Sequence, residues 1–170
     1  RGVMKVPVTY DGKGLKEFPE ESLHIHVESF QRDPVGRDCA GKHLILLAGG
    51  PGQSAHVWYP DLPAIAKLLS KGMRLYLLDV RGVGRSDKLC DEDDSRWRDD
   101  NAEFIPPHDP ARYSVTNTAH DVAQLAKLII KQHQRAGEEQ VLVSLMGVSF
   151  GGMLAARAVV MFPRLFEWLI

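Results

Sequence analysis

Gly147-Val148-Ser149-Phe150-Gly151 sets a serine between two glycines, at a spacing that can present a hydroxyl as a nucleophile. The apolar run Val141-Leu142-Val143-Ser144-Leu145-Met146 precedes it, and a helical pattern follows. A strand that turns this sharply into a helix needs small flanking residues wherever backbones meet. The serine hydroxyl is then held at the carboxyl end of a strand, beside the positive end of the next helix dipole. Acyl transfer is the chemistry that suits such a group. Glycine and serine are common, so the spacing alone is weak; the strand before it and the helix after it give it weight.

Acyl transfer also needs amide donors aimed at the oxygen that becomes negative in the tetrahedral intermediate. Ala48-Gly49-Gly50-Pro51-Gly52 follows a second apolar run, and its glycines let backbone approach that oxygen with no side chain between. Pro51 has no amide hydrogen, which leaves Gly50 as the candidate donor, paired with the amide of Phe150 after the serine. A phosphate-binding loop is the rival reading, but Gln53-Ser54 stands where lysine and a hydroxyl residue are required. Gly82-Val83-Gly84 lacks the third glycine of a dinucleotide fingerprint, since position 87 is Asp. That loop reads as structural, with Asp79 and Arg81 expected to pair around Gly82 and Ser86 to bond locally.

Histidines are the next concern, because a serine nucleophile needs a base. His24 and His26 alternate with apolar residues and read as a solvated strand face; His43 starts a strand at the end of the sheet opposite the serine. His108 falls in a proline-rich stretch, and His120 and His133 share one helix. His56 is nearest in sequence to the glycine turn and is a candidate to line a substrate pocket with Trp58 and Tyr59. No metal-ligand spacing and no cofactor motif is present in this reading: Cys39 and Cys90 form neither a zinc spacing nor a disulfide framework.

The elements that must position these groups follow from periodicity. Ser22 to Phe30 alternates polar and apolar residues and predicts a half-buried strand, with Val3 to Thr9 as its partner and the turn at Asp11 to Lys16. Asp33 to Asp38 reads as loop. His43 to Ala48 and Met73 to Val80 are continuous apolar runs, as in strands buried on both faces, and Leu62 to Ser70 between them predicts a helix stopped at Gly72. Lys88 to Arg112 is acidic and then proline-rich, a surface excursion with a solvated charge run. Thr118 to His133 has a helical apolar face, with Thr118 and Asp121 spaced as a capping box. Met153 to Phe162 is apolar nearly all round and predicts a helix buried against the sheet centre. Two antiparallel strands followed by three strand-to-helix units argue for an α/β, mostly parallel, doubly wound sheet.

Size and composition set outer bounds. A chain of 170 residues suits one domain with a sizeable core. The net charge of −1 gives no reason to expect nucleic acid or an anionic membrane as a partner. Two cysteines suit a reducing, cytoplasmic compartment. Pro163 stops the last helix and Phe166-Glu167-Trp168-Leu169-Ile170 reads as the start of another strand, so residues 1–170 are expected to be the amino-terminal part of a single longer domain.

Together these residues resemble the prolyl iminopeptidase and tripeptidyl aminopeptidase branch of the α/β-hydrolase superfamily. The resemblance rests on Gly49-Gly50-Pro51-Gly52, Asp79-Val80-Arg81-Gly82-Val83-Gly84-Arg85-Ser86, Asn117-Thr118-x-x-Asp121-Val122 and Gly147-Val148-Ser149-Phe150-Gly151-Gly152 in that order, from Leu44 to Ile170. It departs at Ala48, where the family usually has histidine before the glycine turn. It implies the α/β-hydrolase fold and a serine hydrolase with Ser149 as acylating nucleophile. The implied activity is that of an aminopeptidase removing N-terminal residues from a peptide or other small acyl substrate, with no cofactor. An esterase or amidase, or a non-catalytic binding relative, are the alternatives. In this superfamily the acid and histidine follow the serine in chain order. After Ser149 the sequence has no Asp and no His, and Glu167 is the only carboxylate side chain. The resemblance therefore implies that the cap, the acid and the base lie outside these residues, and that residues 1–170 alone are inactive.

Overall fold

Strand β3 (Lys42–Leu47) decides the architecture, because both of its faces are buried: Leu44 and Leu46 point one way, Ile45 and Leu47 the other. A strand of this kind needs cover on both sides. In the computed structural model, residues 2–7, 10, 22–31, 41–68, 72–87 and 110–170 are described. They form a five-stranded sheet from β1 (Gly2–Pro7), β2 (Ser22–Gln31), β3, β4 (Arg74–Leu78) and β5 (Leu142–Gly147), in the order β1-β2-β4-β3-β5. The first hairpin is antiparallel, β2 also runs antiparallel to β4, and β3 is parallel to both β4 and β5. The expected hairpin turn at Asp11 to Lys16, the loop at Asp33 to Asp38 and most of the excursion from Lys88 lie outside the described residues.

Helix α1 (Leu62–Leu68) and a 3-10 turn at Ala55–Trp58 cover one face, over Leu44, Leu46, Leu75 and Leu77. Helices α2 (Val115–Arg135) and α3 (Phe150–Met161) cover the other, over Ile25, Ile45, Leu47, Val143 and Leu145. This is the doubly wound arrangement that the alternation of elements implied. The segment around Leu169 adds a parallel bridge to Leu145, with the Leu145 amide donating to the Trp168 carbonyl at 2.9 Å. Phe166 to Ile170 thus begins to pair as the sequence suggested. Among the described residues no helix is long and apolar enough to cross a membrane.

Two expectations about the helices change. α2 starts three residues before Thr118: Ser114 is the N-cap, and its side chain accepts the Asn117 amide. Thr118 Oγ1 instead donates back to the Ser114 carbonyl at 3.0 Å, and Asp121 is fully buried. A capping box needs an exposed acid over the first turn, whereas this acid lies on the face that packs on the sheet. α3 is also less enclosed than its composition implies. Gly151, Leu154, Ala155 and Ala158 form one buried stripe, while Met153 and Val160 are 51% and 74% exposed. Its main element neighbours among the described residues are α2, β5 and β3.

Candidate active site

Ser149 sits between β5 and α3 with φ 55° and ψ −118°, the single positive φ of a non-glycine residue among those described. Such a conformation costs of order 1–3 kcal/mol and persists only where the surroundings enforce it. The enforcing contacts are at the two glycines of the motif. A Cβ on Gly151 would overlap the carbonyl groups of Leu47 and Ala48, and one on Gly147 would overlap the backbone of Gly151. The first turn of α3 is therefore pressed onto the end of β3, and the serine between them takes the strained turn. Its side chain is exposed, makes no capping bond, and stands at the helix N-terminus.

Gly151→Ala is expected to destabilise the fold by about 2–3 kcal/mol, as overpacking against backbone does. Gly152→Ala is the control, because its nearest obstacle is the Gly147 carbonyl oxygen at 3.3 Å, which a small shift relieves. Urea midpoints for the two variants measure the difference, and equal midpoints would refute the close-packing account.

The glycine turn lies beside the elbow. A Cβ built on Gly49 would sit 3.6 Å from the Ser149 Cβ and 3.3 Å from the Val148 carbonyl oxygen. Gly50 has φ +110° and is exposed. Among the described residues, neither the Gly50 amide nor the Phe150 amide donates a hydrogen bond to another protein group. Both amides are thus unused, one directly after the serine and the other next to Gly49, which approaches the Ser149 side chain.

The loop after β4 is organised differently from the expected Asp79–Arg81 pair. Asp79 is buried, and its Oδ1 accepts from Ser54 Oγ at 2.9 Å and from the Ala55 amide at 2.8 Å. Oδ2 accepts the Arg85 amide at 3.0 Å, and the carboxylate occupies the space a side chain on Gly84 would need. One acid therefore ties the segment after the glycine turn to the loop after β4. Arg81 points away and pairs with Asp121, with Nε to Oδ2 at 2.7 Å and Nη2 to Oδ1 at 2.6 Å. The two charges thus each find a partner on their own side of the sheet end. Ser86 Oγ does bond locally, to the Asp79 carbonyl at 2.6 Å, and it also accepts the His26 amide of β2 at 2.9 Å.

His56 lines a small cavity together with His26, Glu28, Tyr59 and Asp79. Its enclosed volume is about 10 Å³, roughly the least that can hold one water molecule. As it stands it is too small to admit any part of a substrate. Trp58 does not line it; its ring is 8% exposed and packs among Leu44, Leu46, Leu75 and Leu77. His26 is not on a solvated face either, since Nε2 lies 3.0 Å from Oε1 of Glu28 and only 13% of its side chain is exposed. Glu28 went unnoticed in the sequence. It is buried, bonded to Tyr59 and to Arg85 Nη1 at 2.7 Å, with His56 Nε2 at 3.9 Å. Its sequence signal is weak, because on β2 it is one polar position of an alternating strand, and Tyr59, Arg85 and His56 reach it only in the fold.

Comparison with known proteins places this geometry. Residues 42–167 match the family model described as the alpha/beta hydrolase fold. A proline iminopeptidase, aneH of Aspergillus aculeatus, is 32% identical across 71% of this chain, and the chain spans 25% of that protein's length. Among solved structures, a proline iminopeptidase-related protein from Thermus thermophilus superposes with a TM-score of 0.58 at 23% identity, covering 99% of this chain and 42% of its own. Proline iminopeptidase from Mycobacterium smegmatis gives 0.57 at 20% identity over 99% and 42%, and an epoxide hydrolase from Vigna radiata gives 0.56 at 17% over 99% and 37%. At these identities the structural likenesses speak for the fold alone.

Proposed function

The chain belongs to the alpha/beta hydrolase fold family, and from that premise we propose that it supplies the nucleophile and oxyanion donors of a serine aminopeptidase of prolyl iminopeptidase type. The observation that carries this reading is Ser149, held at φ 55° on a strand-to-helix turn with its hydroxyl exposed. In the reaction, Oγ attacks the carbonyl carbon of the first peptide bond while a base takes its proton. The carbonyl oxygen becomes negative and is held by the amides of Gly50 and Phe150. Collapse of the tetrahedral intermediate expels the amine, which receives the proton, and water then releases the acyl group from Ser149. The likeness to the Aspergillus proline iminopeptidase supports an N-terminal residue, proline included, as the acyl group. His56 and its cavity are assigned to the pocket side of the site; Trp58 supports the wall from the core.

The test uses the full-length protein, because this chain spans a quarter of its curated relative and no His follows Ser149 in it. Prolyl, alanyl and tripeptidyl amides are offered beside simple esters. Turnover that requires a free amino terminus is the expected result. Preference for esters, indifferent to the amino terminus, would reassign the same site to an esterase.

A further inference from the structure

At the end of the sheet opposite Ser149, three side chains from separate elements converge. His43 comes from the start of β3, His133 from the last turn of α2, and Glu138 from the turn that follows. Ligand atoms of all three lie within 4.8 Å of one another. His43 and His133 are 3% and 5% exposed, and their rings are 4.2 Å apart between centroids. Each imidazole turns one nitrogen towards Glu138: Nδ1 of His133 at 2.7 Å from Oε1, and Nε2 of His43 at 3.7 Å from Oε2. Each turns its other nitrogen towards the Tyr76 hydroxyl, both at 3.3 Å.

Nε2 of His43 and Oε2 of Glu138 are both buried without a hydrogen-bond partner. Their separation is too long for a hydrogen bond. It is close to the edge of a tetrahedron around zinc, which is about 3.3–3.6 Å for bonds of roughly 2.0–2.2 Å. We propose that His43 Nε2, His133 Nδ1 and the Glu138 carboxylate form a binding site for one divalent transition-metal ion of the zinc type. Two imidazoles and one carboxylate suit that class rather than magnesium or calcium. Tyr76 supplies the outer support such sites use, accepting from the non-ligating N–H of both histidines and fixing their rings. Glu138 is 28% exposed along its side chain and leaves a path for the ion.

Two contacts oppose the ion: the hydrogen bond between His133 Nδ1 and Glu138 Oε1 at 2.7 Å, which the metal must open, and Arg74. Arg74 Nη1 lies 3.2 Å from Nε2 of His133, the nitrogen that must carry the proton once Nδ1 binds metal. Metal binding must therefore displace that end of the guanidinium, leaving its Nη2 on Gln31 at 2.9 Å. The site is distant from the catalytic serine, and its effect is to clamp the α2–β5 turn to the start of β3.

Full-length protein stripped with chelator is titrated with Zn²⁺ by calorimetry, and with Co²⁺ for its visible spectrum. One equivalent of zinc, a four-coordinate cobalt spectrum and a melting temperature that rises with zinc are expected. Glu138→Gln should weaken zinc at least tenfold, His133→Asn should abolish the cobalt spectrum, and Arg74→Met should tighten zinc. Glu138→Gln removes a partly exposed carboxylate, so it remains readable if the histidine variant fails to fold. Absence of stoichiometric zinc, or zinc affinity unchanged in Glu138→Gln, overturns the proposal.

Discussion

Ser149→Ala in the full-length protein should lose covalent capture by a fluorophosphonate and lower kcat/KM by about a thousandfold or more, the scale on which removal of a serine nucleophile acts. The fold should survive, because the substitution removes only an exposed oxygen that makes no capping bond. Both serine and alanine have a Cβ, so the variant keeps the φ 55° strain of the turn. Ser149→Gly does not, and it should be more stable than Ser149→Ala by about 1–2 kcal/mol. The pair of variants separates two explanations for lost activity. If alanine abolishes labelling while glycine gains stability, the strained turn exists to present the hydroxyl. Labelling that persists in Ser149→Ala would remove the nucleophile assignment. Labelling lost alongside a fall of several kcal/mol in alanine would instead make the serine a structural residue.

The sharp turn was legible in the sequence because its glycines flank the serine, although the contact that Gly151 permits, with the end of β3, is long-range. Gly147 and Gly151 mark the two close backbone approaches, and the runs on either side are long enough to fix strand and helix. The same holds for β3, whose unbroken Leu44 to Leu47 requires cover on both faces. What the sequence left hidden depends on contacts between distant segments. Asp79 and Arg81 stand two residues apart, and proximity in sequence favoured pairing them. The fold offers each a better partner, the Ala55 amide and Ser54 for Asp79, and Asp121 for Arg81. Trp58 follows the glycine turn closely, yet its short 3-10 turn directs the ring into the core. Glu28 and His26 read as polar positions of an ordinary alternating strand. Only the packing of the loop after β4 onto β2, through Ser86, encloses them. Charged residues are therefore the poorest guide here: their spacing states what is possible, and the fold selects among partners.

Removing the Asp121 carboxylate should be the most damaging change outside the serine turn. Asp121 and Arg81 have fully buried side chains joined by two bonds. Burial pushes the Asp121 carboxyl up, and Arg81 and the Tyr10 hydroxyl, which donates at 2.9 Å, pull it back down. Asp121→Ala leaves a guanidinium that cannot shed its proton in a dry interior, and the loss is expected at about 3–5 kcal/mol. Arg81→Met is expected to be costly for a second reason. The same guanidinium donates to the carbonyls of Arg112 and Pro7, so it tethers β1 and the entrance to α2 to the loop after β4. Losing it would take a donor from each carbonyl, with Asn117 Nδ2 still donating to that of Arg112 at 3.3 Å, and would strand the acid. The double variant Arg81→Met with Asp121→Ala removes both charges at once, and it should be clearly more stable than the sum of the single losses predicts. The recovery should stay incomplete, since the Pro7 and Arg112 carbonyls each still lack the bond that Arg81 gave. Urea denaturation followed by circular dichroism gives all three values. If Asp121→Ala falls within about 1 kcal/mol of the parent, the range of an exposed pair, the charges are solvated in solution. The Asn117-Thr118-x-x-Asp121 segment would then owe nothing to this contact.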